Sequence, residues 1–267
     1  MDMEKSSNYT VVITRAEKQS QDFVKSLQES GFNIHQFSAI EIRTRPLEDY
    51  SRKLLAALQS GNFDWLILTS SNAVTSLYKI LSDFNQENAL STAPQVVGVK
   101  VAVVGDKTSK VFAEHFHREV DLIPARFISE ALLEEYEKIN LSGKKVLLVI
   151  AAKTRNIIKP ELETFGAEVS ELIAYDNYEI RPPQESIEKL LNYGSENLIF
   201  PFFSPSAVAS TLSILGARAD ILNEAKIISI GPITSKALSD KGFRVDHESS
   251  NHSEKGVLSA IAEYAPK

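Results

Sequence analysis

The segment that decides the fold reads Ile-Phe-Pro-Phe-Phe-Ser-Pro-Ser-Ala-Val over residues 199–208. An apolar run typical of a buried strand ends at residues 204–206, and apolar residues at helical spacing follow from Ala207 to Leu215. Serine side chains at such a junction satisfy the free N–H groups of the first helical turn, and the same N–H groups can hold an anion. Residues 64–74 repeat the pattern as Asp-Trp-Leu-Ile-Leu-Thr-Ser-Ser-Asn-Ala-Val. The junction is therefore a duplicated feature of the chain.

The duplication extends over the whole sequence. The strand–helix–strand pattern of residues 11–37 returns at residues 144–172, and the strand–turn–helix pattern that begins at 101–108 returns at 227–234. The offset between the copies is on the order of 130 residues, which indicates a duplicated domain rather than a short repeat. Alternating strands and helices joined by short loops form parallel sheets. We predict an α/β fold of two similar doubly wound, flavodoxin-like domains with parallel sheets.

Several local elements are predicted from the spacing of apolar residues. Residues 82–94 are polar and are predicted to form a loop, whereas Val120–Ile123 is predicted to form a short strand. A helix is predicted over Arg155–Phe165, and extended segments are predicted at Ile40–Arg45 and Ile173–Ile180. These assignments complete the alternating order that the two-domain prediction requires.

Composition and charge exclude several classes of function. The chain has 267 residues, a formal net charge of -6 and no cluster of Lys and Arg, so we expect neither nucleic acid nor an anionic membrane as its main partner. It contains no cysteine, which excludes disulfides, thiolate catalysis and cysteine metal sites. Met1–Thr10 is polar and lacks the apolar core of a signal peptide, and no apolar run approaches bilayer-spanning length. We therefore expect a cytoplasmic protein.

Six segments are predicted to lie at the carboxyl ends of the strands, where ligands bind in doubly wound sheets. They are rich in hydroxyl groups, glycine and helix N-termini, which suits an anionic ligand held by backbone N–H groups. The alternative is that these residues only cap helices. Agreement among six segments in two domains favours a ligand cleft shared by the domains. The candidate ligand-binding residues are Arg15, Ser70, Ser71, Asn72, Ala73, Thr108, Arg155, Ser204, Ser206, Ala207, Gly231 and Thr234.

Familiar catalytic signatures are absent from the sequence. No Gly-x-Gly-x-x-Gly follows the first strand, and no phosphate loop, His-Glu-x-x-His or Gly-x-Ser-x-Gly occurs. His115 and His117 lie at the end of a predicted helix, where we expect them to be solvated, so no metal site is predicted. The sequence points to a site that orients its ligand and contributes little reactive machinery.

Four motifs carry a family resemblance. They are Val-Ile-Thr-Arg at residues 12–15, Phe-Asp-Trp-Leu-Ile-Leu-Thr-Ser-Ser-Asn-Ala-Val at residues 63–74, Phe-Phe-Ser-Pro-Ser at residues 202–206 and Ile-Gly-Pro-Ile-Thr at residues 230–234. In this order, and with the duplication, they resemble the uroporphyrinogen-III synthase family. The resemblance extends from Val11 to Tyr264.

The resemblance implies a domain arrangement that the repeat alone does not. In this family the first strand–helix–strand unit is exchanged between the two halves. One domain is then expected to combine residues 1–38 with 178–267, and the other to span residues 41–174. Two extended connectors, near residues 38–45 and 173–180, would join them as a two-stranded hinge. The resemblance also implies a monomer.

The resemblance further implies a reaction and one catalytic residue. The family cyclises hydroxymethylbilane, a linear polycarboxylate tetrapyrrole, to uroporphyrinogen III with loss of water and inversion of the terminal ring. It needs no cofactor, belongs to the carbon–oxygen lyases and serves haem and porphyrin biosynthesis. A tyrosine in the second connector is the family's candidate acid, and Tyr175 matches it. A tyrosine near its normal pKa of about 10 stays protonated and can donate to a leaving hydroxyl.

Alternatives remain at this stage. Tyr175 could only pack on the connector, or Tyr178, three residues further along, could be the tyrosine that faces the ligand. A two-domain binding or regulatory module for a small anionic ligand would explain the same strand ends. A nucleotide-dependent transferase is disfavoured because no phosphate loop is present.

Overall fold

The computed structural model describes residues 8–90, 93–154 and 157–265. Residues 8–90 contain β1 (Thr10–Ile13), α1 (Glu17–Glu29), β2 (Asn33–Gln36), β3 (Ile40–Thr44), α2 (Asp49–Gln59), β4 (Trp65–Leu68) and α3 (Ser71–Glu87). Residues 93–154 contain β5 (Lys100–Val103), α4 (Asp106–Phe116), α5 (Ser129–Glu137) and β6 (Lys145–Ala151). Residues 157–265 contain α6 (Ile158–Thr164), β7 (Glu168–Glu179), α7 (Gln184–Leu191), β8 (Leu198–Phe202), α8 (Pro205–Leu215), α9 (Ile221–Glu224), β9 (Lys226–Ser229), α10 (Pro232–Ser239), β10 (His247–Glu248) and α11 (Glu254–Ala262). Across these ranges, every helix is too short or too polar to cross a lipid bilayer.

The chain forms two compact units. Unit 1 comprises the described residues of Met1–Glu41 and Tyr178–Lys267, and unit 2 comprises those of Ile42–Asn177. The chain thus enters unit 2 within β3 and leaves it within β7. Unit 1 is built from two separate stretches of sequence, whereas unit 2 is continuous.

The sheet of unit 1 has the strand order β10-β9-β8-β1-β2. All four neighbouring pairs are parallel. β1 lies inside this sheet and is buried at all 4 of its positions, as expected for a strand of a parallel sheet covered on both faces. α1 and α11 contribute Phe23, Leu27, Val257 and Ile261 to a core that also contains Val11 and Ile13 of β1.

The sheet of unit 2 has the strand order β3-β7-β6-β4-β5. β4 pairs in parallel with β5 and β6, and β6 pairs in parallel with β7. Leu66 and Leu68 of β4 belong to one buried cluster, whereas Trp65 and Ile67 belong to another. Because side chains alternate along a strand, these clusters mark the two covered faces of the sheet. The prediction of an α/β fold with parallel sheets is confirmed.

One polar segment differs from its prediction. α3 continues to Glu87, so the loop predicted over residues 82–94 is wrong for its first part. Phe84 and Asn85 are both buried, and Gln59 Nε2 donates to Asn85 Oδ1 at 2.6 Å. A single buried aromatic ring and one satisfied amide hold the extra helical turns against the core, although most residues there are polar.

The strand predicted at Val120–Ile123 is reduced to one bridge, between Leu122 and Ala102. Asp121 explains the difference, because its Oδ2 accepts a hydrogen bond from the Val101 N–H at 2.8 Å. The Val101 N–H therefore donates to a side-chain carboxylate, and it is not available for the backbone hydrogen bond that a longer strand would form.

Three boundaries also differ. α8 begins at Pro205 rather than at Ala207, since proline is favoured at the first helical position and Ser204 caps the helix. α6 begins at Ile158, and Arg155, where a helix was predicted to start, lies outside the described residues. The last strand of the pattern predicted over residues 144–172 and the extended segment predicted at Ile173–Ile180 form one continuous strand, β7.

Candidate functional site

In unit 2 the predicted site residues gather at the carboxyl ends of neighbouring strands. Leu68, the last residue of β4, pairs with Val149 of β6, and Ala151, the last residue of β6, pairs with Tyr175 of β7. Ser70 lies two residues beyond the end of β4. Because these strands run parallel, Ser70 and Tyr175 reach the same edge of the sheet.

Ser70 and Tyr175 are joined by a hydrogen bond. Ser70 is the N-cap of α3, with an extended backbone, and its Oγ accepts the Ala73 N–H at 3.2 Å. The same Oγ lies 2.9 Å from Tyr175 Oη. The Ser70 hydroxyl thus satisfies one free N–H of the helix and at the same time contacts the phenol of Tyr175.

A β-bulge turns Tyr175 toward this serine. The pairing steps from Ile150 opposite Ile173 to Ala151 opposite Tyr175, so β7 contains one extra residue at this point. Without the bulge, alternation would put Tyr175 on the face of Ile173, which is 40% exposed. Instead Tyr175 is buried, 6% exposed, and belongs to the core cluster of α2 and α3.

Tyr178 has a different environment from Tyr175. Its side chain is 44% exposed. The structure therefore buries one of the two candidate tyrosines beside a predicted site serine and leaves the other partly exposed.

Burial raises the pKa of Tyr175 above its ordinary value, and the hydrogen bond with Ser70 opposes part of that rise. The phenol is therefore protonated throughout the neutral range. Next to it in the chain, Asp176 Oδ2 accepts from Arg45 Nε at 2.8 Å, and the Arg45 N–H donates to the Ala174 carbonyl. No sequence pattern indicated this ion pair, since its partners lie 131 positions apart.

The other unit 2 candidates surround two helix N-termini. Ser71 and Asn72 are half-buried in the first turn of α3, and Ala73 is fully buried. Thr108 is buried in the first turn of α4, which Gly105 precedes as the N-cap. Asp106 at the start of that helix is exposed. Arg155 lies outside the described residues.

In unit 1 the same serine cap recurs. Ser204 is the N-cap of α8, and its Oγ accepts the Ala207 N–H at 3.2 Å. The hydroxyl also lies 3.0 Å from Ser206 Oγ. The two junctions recognised as a repeat in the sequence therefore have the same hydrogen-bonded geometry, but the second partner of the serine differs.

Arg15 follows β1 at the carboxyl edge of the unit 1 sheet and is not an isolated cation. Its Nη1 donates to Glu254 Oε2 at 2.7 Å, and its guanidinium lies 3.6 Å from the centroid of the Phe203 ring. Burial lowers the pKa of Arg15, whereas the charge and hydrogen bond of Glu254 oppose that shift. The guanidinium remains charged, but an internal carboxylate already pairs with it.

Gly231 is the N-cap of α10, and Thr234 lies in the first turn of that helix. A Cβ added at Gly231 would lie 2.8 Å from His252 Nδ1, so the imidazole ring requires glycine at this position. The backbone of Gly231 is extended, so close approach rather than a positive φ explains the residue. Thr234 is buried, and its N–H already donates to the Gly231 carbonyl at 3.0 Å. No sequence signal pointed to His252 as the neighbour of this turn.

Two surface depressions lie away from these residues, one between α1 and α11 and one beside the end of α3. Neither is lined by any predicted site residue. The strand ends are distinguished by their hydrogen bonds, their buried phenol and their helix N-termini.

Comparison with known proteins identifies a family that matches most of the chain. A sequence model of one protein family, described as uroporphyrinogen-III synthase HemD, matches residues 5–259. The chain belongs to the uroporphyrinogen-III synthase family. A protein of Methanocaldococcus jannaschii, provisionally described as a uroporphyrinogen-III synthase, is 31% identical over 236 residues, which cover 88% of this chain and 90% of that protein.

Two further relatives of the family extend the comparison. The uroporphyrinogen-III synthase of Synechococcus elongatus is 29% identical over 267 residues, covering 96% of this chain and 95% of its own. The crystal structure of uroporphyrinogen-III synthetase from Helicobacter pylori aligns with a TM-score of 0.61 and 19% identity, over 96% of this chain and 98% of that one. At that level of identity the structural match shows the shared fold.

Proposed function

We propose that this member of the uroporphyrinogen-III synthase family cyclises hydroxymethylbilane to uroporphyrinogen III without a cofactor, as a carbon–oxygen lyase. The observation that carries the proposal is the buried Tyr175, whose Oη lies 2.9 Å from Ser70 Oγ at the carboxyl edge of the unit 2 sheet. A protonated phenol at such an edge suits a reaction that begins with loss of a hydroxyl group.

The first step assigned to Tyr175 is proton donation. Its O–H proton passes to the hydroxymethyl oxygen of the substrate, the carbon–oxygen bond breaks, and its electron pair leaves with water. The nitrogen lone pair of the same pyrrole ring forms the new double bond, which gives an azafulvene with cationic character, and a phenolate remains on Tyr175. The raised pKa of Tyr175 supports this role because it keeps the proton on the phenol until the substrate accepts it.

The later steps need no nucleophile from the protein. The terminal ring attacks the azafulvene carbon through its own substituted carbon, and the resulting spiro intermediate fragments and recloses with that ring inverted. A proton released when the macrocycle closes restores the phenol. What the protein supplies is conformation and electrostatic stabilisation, which are the effects of positioned groups.

The substrate carboxylates are assigned to helix N-termini and to Arg15. Ser71 and Asn72 lie in the first turn of α3, and Ser206 lies in the first turn of α8. The partial positive charge of a helix N-terminus favours an anion there. Arg15 is included because a guanidinium pairs well with carboxylates, although binding requires exchange of its Glu254 contact.

The decisive experiment is to supply the purified protein with freshly made hydroxymethylbilane and no added cofactor. The measurement is the ratio of inverted to uninverted uroporphyrinogen against a protein-free control. We expect the inverted isomer to predominate. Only the uninverted isomer, formed at the spontaneous rate, would contradict the proposal.

We also propose that the protein acts as a cytoplasmic monomer. Sedimentation of the same purified protein would measure its mass.

A further inference from the structure

Both units contain a serine that caps a helix, but the second contact of that serine differs between the units. Ser70 and Ser204 each accept an N–H three residues further on, at 3.2 Å in both cases. Ser204 then contacts Ser206, whereas Ser70 contacts Tyr175. Capping therefore explains why serine is present in both units, but it does not explain why one of these serines holds a buried phenol.

The Ser70 hydroxyl can form only a few hydrogen bonds. A serine hydroxyl has one hydrogen to donate and two lone pairs to accept with. The Ala73 N–H uses one lone pair. One lone pair and the Ser70 hydrogen are left, so toward Tyr175 Oη, 2.9 Å away, the serine can either accept or donate. If the serine donates this hydrogen bond, the phenolic O–H remains available to donate to another acceptor.

We propose that Ser70 is the positioning residue for Tyr175: its hydroxyl donates to Tyr175 Oη and directs the phenolic hydrogen toward the leaving hydroxyl of the substrate. The inference rests on the proposed function. After proton transfer the same bond stabilises the phenolate, because a donor to the charged oxygen strengthens when the charge appears. Ser70 is thus assigned to the protein's own machinery rather than to binding a substrate carboxylate.

The fold holds both oxygens in place before the substrate arrives. Ser70 is fixed by the Ala73 contact at the start of α3, a helix of 17 residues whose inner face is buried. Tyr175 is fixed by the β-bulge opposite Ala151, which turns it into the core. A positioned donor and acceptor cost little reorganisation during the reaction, which is what electrostatic preorganisation requires.

The kinetic test is a double-mutant cycle on turnover of hydroxymethylbilane to the inverted product. It compares wild type with Ser70→Ala, Tyr175→Phe and the double variant. We expect Ser70→Ala to lower kcat about 10-fold while changing KM little, and to lower it no further when Tyr175 is already phenylalanine. Ser70→Thr, which keeps a hydroxyl and an N-cap, should restore most of the rate. Equal losses from Ser70→Ala in both backgrounds would overturn the inference.

Loss of the helix cap is separated by a matched variant. Ser204→Ala removes the same cap geometry from α8, where Ser206 rather than a tyrosine is the second partner. Comparing the urea midpoints of the two alanine variants shows how much stability the cap alone contributes. If the double-mutant cycle shows coupling, that coupling cannot come from the cap, because Tyr175→Phe leaves the Ala73 contact intact.

A second readout does not depend on activity. With tyrosine labelled by 13C at Cζ, the Tyr175 resonance is identified by its absence in Tyr175→Phe and followed as pH rises. We expect Ser70→Ala to raise the pKa of Tyr175 further, since the opposing hydrogen bond is lost. An unchanged titration would overturn the inference even if the inverted product forms. A Ser70-dependent titration in a protein that forms only the uninverted product would instead reject the proposed function, and with it the catalytic role of the pair.

Discussion

Replacing Tyr175 by phenylalanine tests the proposed acid with little structural disturbance. The side chain is 6% exposed and loses only its hydroxyl, so the ring still fills the core. One hydrogen bond to Ser70 disappears, which costs about 1 kcal/mol. From a typical native stability of about 5 kcal/mol at the low end, about 4 kcal/mol would remain, which still favours the folded state roughly a thousandfold.

Turnover, by contrast, should fall by about 10-fold or more, because general acids commonly contribute that much or more. Such a loss corresponds to about 1.4 kcal/mol or more in the activation barrier. The assay is the initial rate of inverted uroporphyrinogen formation at saturating hydroxymethylbilane. Circular dichroism and a urea titration on the same samples report folding.

The chain offers a matched control in Tyr136. This tyrosine is also buried in unit 2, but it packs in the cluster on the other face of the sheet with Trp65. Tyr136→Phe makes the same chemical change away from Ser70 and should leave turnover unchanged. Full activity in a folded Tyr175→Phe variant, or equal losses in both variants, would refute the assignment of Tyr175 as the acid.

Three further predictions concern stability. Tyr136 Oη has no hydrogen-bond partner among the described residues, so Tyr136→Phe should stabilise the protein by about 1 kcal/mol in urea unfolding, and a loss would contradict this. Asp246 Oδ2 accepts the Ile227 N–H at 2.9 Å, and Asp246→Ala should cost about 1–3 kcal/mol by leaving that N–H unsatisfied; an unchanged urea midpoint would argue against it. His35 is buried, and its pKa is lowered mainly by this burial and to a smaller extent by the charge of Lys189. The unfolded state therefore binds a proton at His35 more readily than the folded state does. Stability should therefore fall as pH drops below about 6.5 toward the lower folded value, and His35→Gln should reduce that slope; identical slopes would contradict the assignment.

Much of the fold could be predicted from local pattern. The strand–helix–strand pattern predicted over residues 11–37 corresponds to β1, α1 and β2, because amphipathic spacing and helix-stopping residues act over a few positions. Duplication was equally visible, and the paired serine caps of α3 and α8 reproduce it at the level of individual hydrogen bonds. The extension of α3 through residues 82–87 was missed, since Asn85 is polar by type, although it is buried and accepts a hydrogen bond from Gln59.

What the sequence determined by itself is the repeated order of strands and helices, the polar strand ends and the family. Tertiary structure alone decided which of those polar groups contact each other. Tyr175 lies 105 positions from Ser70, and Arg15 lies 239 positions from Glu254. Such pairs depend on strand order, on one bulge in β7 and on the close approach of loops, which backbone periodicity does not encode. Local pattern follows from short-range sterics and solvation, whereas the chemistry of a strand-end site follows from long-range packing.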